Sequence, residues 1–546
     1  MIATYYKLWK QGGKSEAPIE GYAGWPDKGV AILGDFSGIQ NFVYRPAPGV
    51  GGAAKRLRSR SFRVSAYTEL IARWCLRQLA SSRPKLLYTA GGRFLIASEP
   101  CGSWKDKVAK MQAEVDAWAW AKFEGELVFH LAAAPFDSRK VPNEALSSAL
   151  ELRRKRPLAQ TLQSAGNWRE SEFVRPPATD DGRCQSCGVT RQVEMKSDGE
   201  TVCATCTADE SVGSELPQSR FATLCEPQTG LISALDLAIR LDAQARPLQG
   251  QTVLSLGDSS RGSEPWLLLR HVPTTDQGRT LDFDEIAAHA RRRRKWLGCL
   301  RIDADQVGRQ FAQVRGDPAR IWGLSRLLNY FFASTAEKLL EEKFPNIYAV
   351  YGGGDDLFVI GPWTDTLDFA LTLRRHFHAG IEEDLTFSAG LALAKPRDHI
   401  LSMARDAAEE LEKAKDTAGY GRRTGRNQIR ALGTTCDWER FGHVLNQAKQ
   451  VASWLESGNL PSRFLHQVLE LHDAWSAARC KQAARDTAAS VRYRPLLYYQ
   501  ICRNLKRGPA SEWAHSLLHL PSDWPWVGFI MRYALLAAER DLAEEA

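Results

Sequence analysis

The sequence predicts an α+β fold of several domains, and three observations carry that expectation. A strand–helix–strand–turn–strand module occurs twice, two close cysteine pairs interrupt the chain between the copies, and the stretch from about residue 434 onward is Trp-rich with helical periodicity and no strand signal. At 546 residues the chain exceeds what one hydrophobic core supports, and its length fits about three or four domains.

The first copy of the module runs through "AILGDFSGIQNF" and "LLYTAGGRFLIA", the second through "GCLRIDADQVGRQF" and "YAVYGGGDDLFVIG". Strands are expected at 30–34, 85–89, 93–97, 126–133, 297–302, 347–351, 357–361 and 385–394, where apolar runs alternate or continue between turn residues. A helix is expected at 399–415, because Ile400, Met403, Ala404, Ala407, Ala408, Leu411 and Ala414 share one face. Residues 319–343 and 364–381 show the same period, and the Pro-, Ser- and Gly-rich stretches near 155–182 and 208–230 read as linkers around an insertion.

Chemistry concentrates in the second copy. Asp355 and Asp356 follow Gly353 and Gly354 at a hairpin tip, where glycines supply positive φ and leave the backbone open to close approach. Asp303 ends the preceding strand of that copy, so its carboxylate can lie beside the hairpin. Three converging carboxylates repel one another unless cations join them. Mg²⁺ (or Mn²⁺), which seeks oxygen ligands and brings substrate phosphates with it, suits such a site. Two such ions about 4 Å apart would activate a hydroxyl and stabilise a leaving pyrophosphate. A polar turn with Asp303 capping the next helix explains each residue singly, but not the set. Asp305 is open between a helix N-terminal residue and a further ligand. Lys415, late on the 399–415 helix, is open between a contact to triphosphate and a cation complementing the helix C-terminus. The first copy carries Arg93-Phe94 where the second has its aspartates, so it is either structural or holds part of a ligand.

Cys184, Cys187, Cys203 and Cys206 form "CQSC" and "CATC", fifteen residues apart, a spacing that supplies four thiolates to one structural Zn²⁺. The formal net charge is +8, and the dense basic runs are "KRLRSRSFR" (55–63, with Lys55, Arg56, Arg58 and Arg60) and "RRRRK" (291–295). Either run is a solvated face or meets a phosphate-rich partner such as RNA. No apolar run reaches about 18 residues and the N-terminus has no apolar signal core, so a membrane span and secretion are not expected and a cytoplasmic protein is.

Taken together, "GDFSGIQNFVYR", "GAAKRLRSRSF", the cysteine pairs, "LRIDADQVG", "YGGGDDLFVIGPW", "FSAGLALAKP" and "GRNQIRALGTTCDWERF" resemble the large subunit of type III CRISPR effector complexes, the palm-domain cyclic-oligoadenylate synthetase, here Csm-like. The resemblance runs in the right order along nearly the whole chain. It implies two ferredoxin-like palm (nucleotidyl cyclase-like) domains, a zinc-binding insertion and a C-terminal helical domain. The matching division is a degenerate first palm at 1–145, linker and zinc ribbon at 146–285, a catalytic GGDD palm at 286–433 and helices at 434–546. It further implies two ATP molecules between the palms, joined by attack of a 3′-hydroxyl on an α-phosphate. Asp303, Asp355 and Asp356 match the metal positions, and Gly353 and Gly354 let a triphosphate approach. Ser325 falls where adenine is contacted, and Lys415 and Asn427 fall in the tail motif shared with GGDEF cyclases. Guide crRNA, target RNA and the other Csm subunits are the implied partners. One departure is expected: the first palm strand begins near residue 29, leaving no room for the HD nuclease domain of many members, and His472-Asp473 reads as a surface helix pair, so no stand-alone DNA cleavage is expected. A stand-alone GGDEF-like dinucleotide cyclase would carry Glu-Phe where this chain has Asp356-Leu357, and a catalytically silent RNA-binding scaffold would not need the aspartate set.

Overall fold

The computed structural model describes residues 1–12, 24–45, 52–80, 83–99, 102–159, 181–196, 199–244, 251–257, 264–290, 295–381, 385–416, 425–480, 492–519 and 523–538. Helix α1 (Ile2–Gln11) precedes a first sheet of β1 (Gly29–Ser37), β2 (Lys85–Ala90), β3 (Arg93–Ser98) and β4 (Val128–Phe136). Helix α2 (Ala53–Gln78) joins β1 to β2, α3 (Trp104–Phe123) joins β3 to β4, and α4 (Asn143–Arg154) follows β4. The spatial order β2-β3-β1-β4 with antiparallel neighbours is that of a ferredoxin-like β-α-β-β-α-β unit.

A small sheet of β5 (Asp181–Arg183), β6 (Thr190–Met195) and β7 (Thr201–Cys203) leads into α5 (Ala204–Glu215). The next element corrects the sequence expectation. Residues 208–230 are not a linker: they contain most of α5 and β8 (Phe221–Cys225), the middle strand of a five-stranded sheet. Its other strands are β9 (Ile232–Ala234), β10 (Leu237–Asp242), β11 (Val253–Ser255) and β12 (Glu264–Pro265). Strands this short, set among Pro, Ser and Gly, carry too few alternations for a period-two signal. Of the other expected linker, 160–180 lies outside the described residues, as does 291–294 of the second basic run.

The second large sheet repeats the first. It is built from β13 (Leu297–Ala304), β14 (Tyr348–Gly353), β15 (Asp356–Pro362) and β16 (Phe387–Ala394), extended by β17 (Gln428–Ala431) and β18 (Thr434–Asp437) in the order β14-β15-β13-β16-β17-β18. The single helix expected at 319–343 is α6 (Pro318–Asn329), a π-helical turn at Tyr330–Thr335, and α7 (Ala336–Lys343). Helix α8 (Trp363–Ile381) follows β15, and α9 (Ile400–Asp416) follows β16. The duplication holds to the residue: Asp35 lies opposite Arg93 as Asp303 lies opposite Asp356, and both edge hairpins carry a register shift, at Leu86/Tyr88 and at Ala349/Tyr351. This register also moves one expectation by a residue. Ala90 pairs with Arg93 as Gly353 pairs with Asp356, so Gly92-Arg93, not Arg93-Phe94, stands where Asp355-Asp356 stands.

The two sheets exchange helices, with α2 packing against β14 and α6 against β2. Helix α1, expected with the first unit, instead packs on α6, where Arg320 Nε donates to the Trp9 carbonyl at 2.7 Å. The C-terminal helices are α10 (Trp438–Glu456), α11 (Ser462–Cys480), α12 (Tyr493–Asn504), α13 (Pro509–His519) and α14 (Val527–Ala537). On α11 only half of the expected surface pair is at the surface. His472 is buried, with Nε2 3.2 Å from the Pro525 carbonyl, while Asp473 accepts from Arg532 at 2.6 Å. Among the described residues no helix is long and apolar enough to cross a membrane.

Candidate active site

Strand pairing brings the aspartates together. Asp303, next to last in β13, lies directly across from Asp356, the first residue of β15, and Asp355 occupies the turn between β14 and β15. Gly353 (φ 144°) and Gly354 (φ 66°) take backbone that a side chain resists. A Cβ on Gly353 would also sit 2.9 Å from Asn329 Oδ1, the atom that accepts the Gly354 N–H at 3.1 Å. The Ala304 N–H donates to the Asp355 carbonyl at 2.8 Å, fixing the turn to the end of β13.

Two cations of the second unit face these carboxylates, and Arg93 of the first unit interacts electrostatically with Asp355. Lys415 Nζ lies 2.6 Å from Asp303 Oδ2, and Arg301 Nη2 lies 3.9 Å from Asp356 Oδ2. The sequence left Lys415 between two roles; here it reaches back from α9 to the end of β13. Burial pushes the Asp303 carboxyl up while Lys415 pulls it down. Asp356 is pushed up to about 7, first by burial and then by the neighbouring Asp355 charge, with Arg301 opposing. Asp305 is buried and accepts from Thr386 Oγ1 (2.7 Å), Ser388 Oγ (2.7 Å) and the Asn427 N–H (2.9 Å). It therefore organises the site from behind, holding Asn427 in a left-handed conformation (φ 51°) beside the β13–β16 pair.

A cavity of about 300 Å³ lies against this hairpin and takes its wall from both sheets. Tyr44, Ser65 and Thr68 line it from the first unit, and Arg301, Asn329 and Asp356 from the second. The two glycine turns meet tip to tip: a Cβ on Gly354 would lie 3.8 Å from Gly91. Ser325 is buried on α6 and, like Asp303, Lys415 and Asn427, is not among the residues lining this cavity. Asn329, Arg301 and Tyr44 were not singled out from sequence. The signals were there for two of them: a lone amide in "LLNYFF" beside the π-turn, and a lone arginine inside an apolar strand.

The basic run at 55–63 is corrected by the structure. Arg56, Arg58 and Arg60 are buried and bond to α5 instead of forming an exposed basic face, and Arg58 also lines the cavity. Arg56 pairs with Glu210, Arg58 donates to the Gly213 carbonyl, and Arg60 Nε lies 2.9 Å from Asp209 Oδ2. Lys55 is half-buried, and its carbonyl oxygen would stand 2.1 Å from a Cβ on Gly213, so the two helices cross in backbone contact. The cause is the carboxylates of α5, far away in sequence.

Cys184, Cys187, Cys203 and Cys206 are all buried, with their sulfurs within 4.8 Å of one another. Thiolates around one tetrahedral Zn²⁺, with Zn–S of about 2.3 Å, stand roughly 3.8 Å apart. The 3.9 Å between Cys187 Sγ and Cys203 Sγ fits that spacing. Among the described residues this is the only set of three or more metal-ligating side chains gathered so closely. The three aspartates are more open, with Lys415 and Arg301 as their present counter-charges. Their all-oxygen donor set still matches what Mg²⁺ or Mn²⁺ takes.

Known proteins give the same picture. Residues 296–429 match the family model of the second palm domain of Cas10/Cmr2, and residues 30–169 match domain B of the Csm1 subunit. Curated relatives include proteins named CRISPR system single-strand-specific deoxyribonuclease Cas10/Csm1 (subtype III-A). That of Thermococcus onnurineus is 28% identical over 74% of this chain and 55% of its own length, and that of Mycobacterium tuberculosis is 27% identical over 70% and 52%. The chain thus spans about half the length of the curated relatives it matches. Solved structures of a Csm1–Csm4 cassette share the fold: the complex with cA4 has a TM-score of 0.70 at 20% identity, covering 93% of this chain and 70% of that one. The complex with one ATP has a TM-score of 0.70 at 20% identity, covering 96% and 72%. By both domain matches, and by relatives aligned along about three quarters of its length, the chain is similar to the Cas10/Csm1 proteins of type III-A CRISPR systems.

Proposed function

We propose that this chain is the ATP-using palm subunit of a type III-A effector complex, which joins ATP molecules into cyclic oligoadenylates when guide crRNA pairs with target RNA. One observation carries the reading: Asp355 and Asp356 line a cavity walled by both palms, and Asp303 pairs directly across from Asp356. Related Csm1–Csm4 cassettes crystallised with cA3, cA4 and ATP support it.

In this reading Asp303, Asp355 and Asp356 hold Mg²⁺ (or Mn²⁺), which when bound lowers the barrier to attack by a 3′-hydroxyl and steadies the departing pyrophosphate. The chain's own groups do the rest. Asn329 and the Ala304 N–H keep the turn rigid. Gly353 and Gly354 present backbone without side chains to the triphosphate. Lys415 and Arg301 hold the carboxylates in place and then face substrate phosphate as fixed positive charge. Asp305 fixes the Asn427 backbone. Ser325, outside this cavity, is proposed to meet adenine on the first-palm side. The four cysteines hold a structural Zn²⁺. Residues 1–145, 146–285, 286–433 and 434–546 are proposed as the domains, the other Csm subunits as partners and the cytoplasm as location. His472 and Asp473 make structural contacts, and no nuclease step is assigned to them.

The test is labelled ATP with Mg²⁺ and the reconstituted complex, with and without matching target RNA, resolved by mass spectrometry. Cyclic oligoadenylates should appear only with target, and Asp355→Ala with Asp356→Ala should abolish them while leaving assembly intact. Silence of the unmutated complex under every condition would leave the scaffold reading standing instead.

A further inference from the structure

The two palms keep one ion pair in common and differ at one position. In each, the aspartate near the end of the first strand meets a cation from the end of the helix after the fourth strand. Lys415 lies 2.6 Å from Asp303, and Arg154 Nη2 and Nε lie 2.6 and 3.2 Å from Asp35 Oδ2. In each, the residue opposite that aspartate begins the strand after the glycine turn. It is Asp356 in the second palm and Arg93 in the first, where Arg93 Nε donates to Asp35 Oδ1 at 2.5 Å. The second palm therefore sets three carboxylates against Lys415 and Arg301, an arrangement short of positive charge. The first palm sets one carboxylate of its own against two guanidinium groups, and Arg93 also feels the Asp355 charge of the other palm across the mouth. A guanidinium has five N–H donors. Arg93 gives one to Asp35 and Arg154 gives two, and their side chains are 45% and 42% exposed. His130, across from Asp35 on β4, is bonded to Ser37, and burial lowers its pKa to about 4, so it stays neutral and leaves the Asp35 charge to the arginines.

We infer that the first palm is an anion site that works without a divalent cation. Arg93, set by Asp35 and backed by Arg154, holds the triphosphate of a second nucleotide where the other palm needs metal. This rests on the ATP reading above and deepens it: the paired palms load one nucleotide with metal and one without. A guanidinium suits the task because it is permanently charged and its planar fork matches phosphate oxygens. Facing glycine turns bring the two sites to one mouth, since Gly91 and Gly354 adjoin.

Equilibrium dialysis of labelled ATP against the full chain, in Mg²⁺ and in EDTA, tests this. Two nucleotides per chain are expected with Mg²⁺ and one with EDTA. Arg93→Ala should weaken the EDTA-resistant binding about tenfold or more, the loss of one charge-assisted hydrogen bond. Arg93→Lys should lose less, and Asp355→Asn with Asp356→Asn should remove only the Mg²⁺-dependent nucleotide. Thermal melting and zinc content of each variant establish that it is folded. EDTA-resistant binding that ignores Arg93→Ala would overturn the inference, as would Mg²⁺-dependent binding with none in EDTA. Absence of ATP binding in both conditions, by folded chain, would instead overturn the ATP reading itself and this inference with it.

Discussion

Glu337 on α7 accepts the N–H groups of Arg270 and His271, both at 2.9 Å, and pins the strap that runs from the five-stranded sheet into the second palm. The strap is tied to both units at this point: Arg270 also donates to the Ser219 carbonyl, and the His271 carbonyl accepts from Ala349 at 3.0 Å. Leu267, Leu268 and Leu269, just before them, line the cavity. Two N–H donors favour the ionised carboxylate, but burial is the larger influence and pushes Glu337 up to about 7. A folded-state value above the free value means that the native protein keeps a proton which the unfolded chain releases. Stability is then highest below about pH 4.5 and falls as pH climbs toward 7, by on the order of 3 kcal/mol at most. Glu337→Gln cannot ionise, so the wild-type-minus-variant difference in thermal midpoint should shrink or turn negative between pH 5 and pH 8. A difference independent of pH would mean that the two N–H groups keep the carboxylate charged throughout.

At the scale of elements, the crossing of α2 with α5 ties the four-cysteine cluster to the cavity wall. Asp209 receives Arg60 at 2.9 Å and Arg63 at 2.8 Å, and Arg60 Nη2 also lies 3.5 Å from Cys206 Sγ. Ser65 and Thr68 on the same helix line the cavity. Removing one partner from a buried ion pair leaves uncompensated charge, a cost of about 3–5 kcal/mol. Asp209→Asn should therefore lower the melting temperature by several degrees while zinc content stays at one per chain. An unchanged melting curve would show that the arginines find water or other partners. This crossing also marks where sequence reading stops. The strand–turn–strand signal at 346–363 is local, so the aspartates, their glycines and their register with Asp303 were legible. Whether an arginine in "KRLRSRSFR" faces RNA or a carboxylate depends on a helix some 150 residues away, and no periodicity carries that. The strands β8 to β12 escaped for the opposite reason, being too short for any period to show.

At the scale of the whole molecule, the palms are less separable than the duplication suggests. One apolar cluster joins Leu33 and Leu95 of the first palm to Leu300 and Leu357 of the second, and to Trp524 and Phe529 among the C-terminal helices. The other joins Phe94 and Phe129 to Trp266 of the strap and to Cys299, Phe358 and Met403 of the second palm. Both faces of the second sheet therefore finish their cores with side chains from elsewhere, and α1 adds Leu8 and Trp9 from the other end of the chain. Burial is worth about 25 cal/mol per Å² of apolar surface, so cutting through both clusters exposes more than a marginally stable domain can lose. Residues 286–433, expressed alone, should aggregate or bind hydrophobic dye, although they carry all three site aspartates. The same span within the full chain should resist limited proteolysis. If the fragment were instead monomeric, with a sharp melting transition and Mg²⁺-dependent ATP binding, the palms would be independent units and the shared cavity a consequence of docking. Failure of the fragment alongside a well-folded full chain would mean that the three site aspartates depend for their positions on the partner palm, whose side chains complete both apolar clusters.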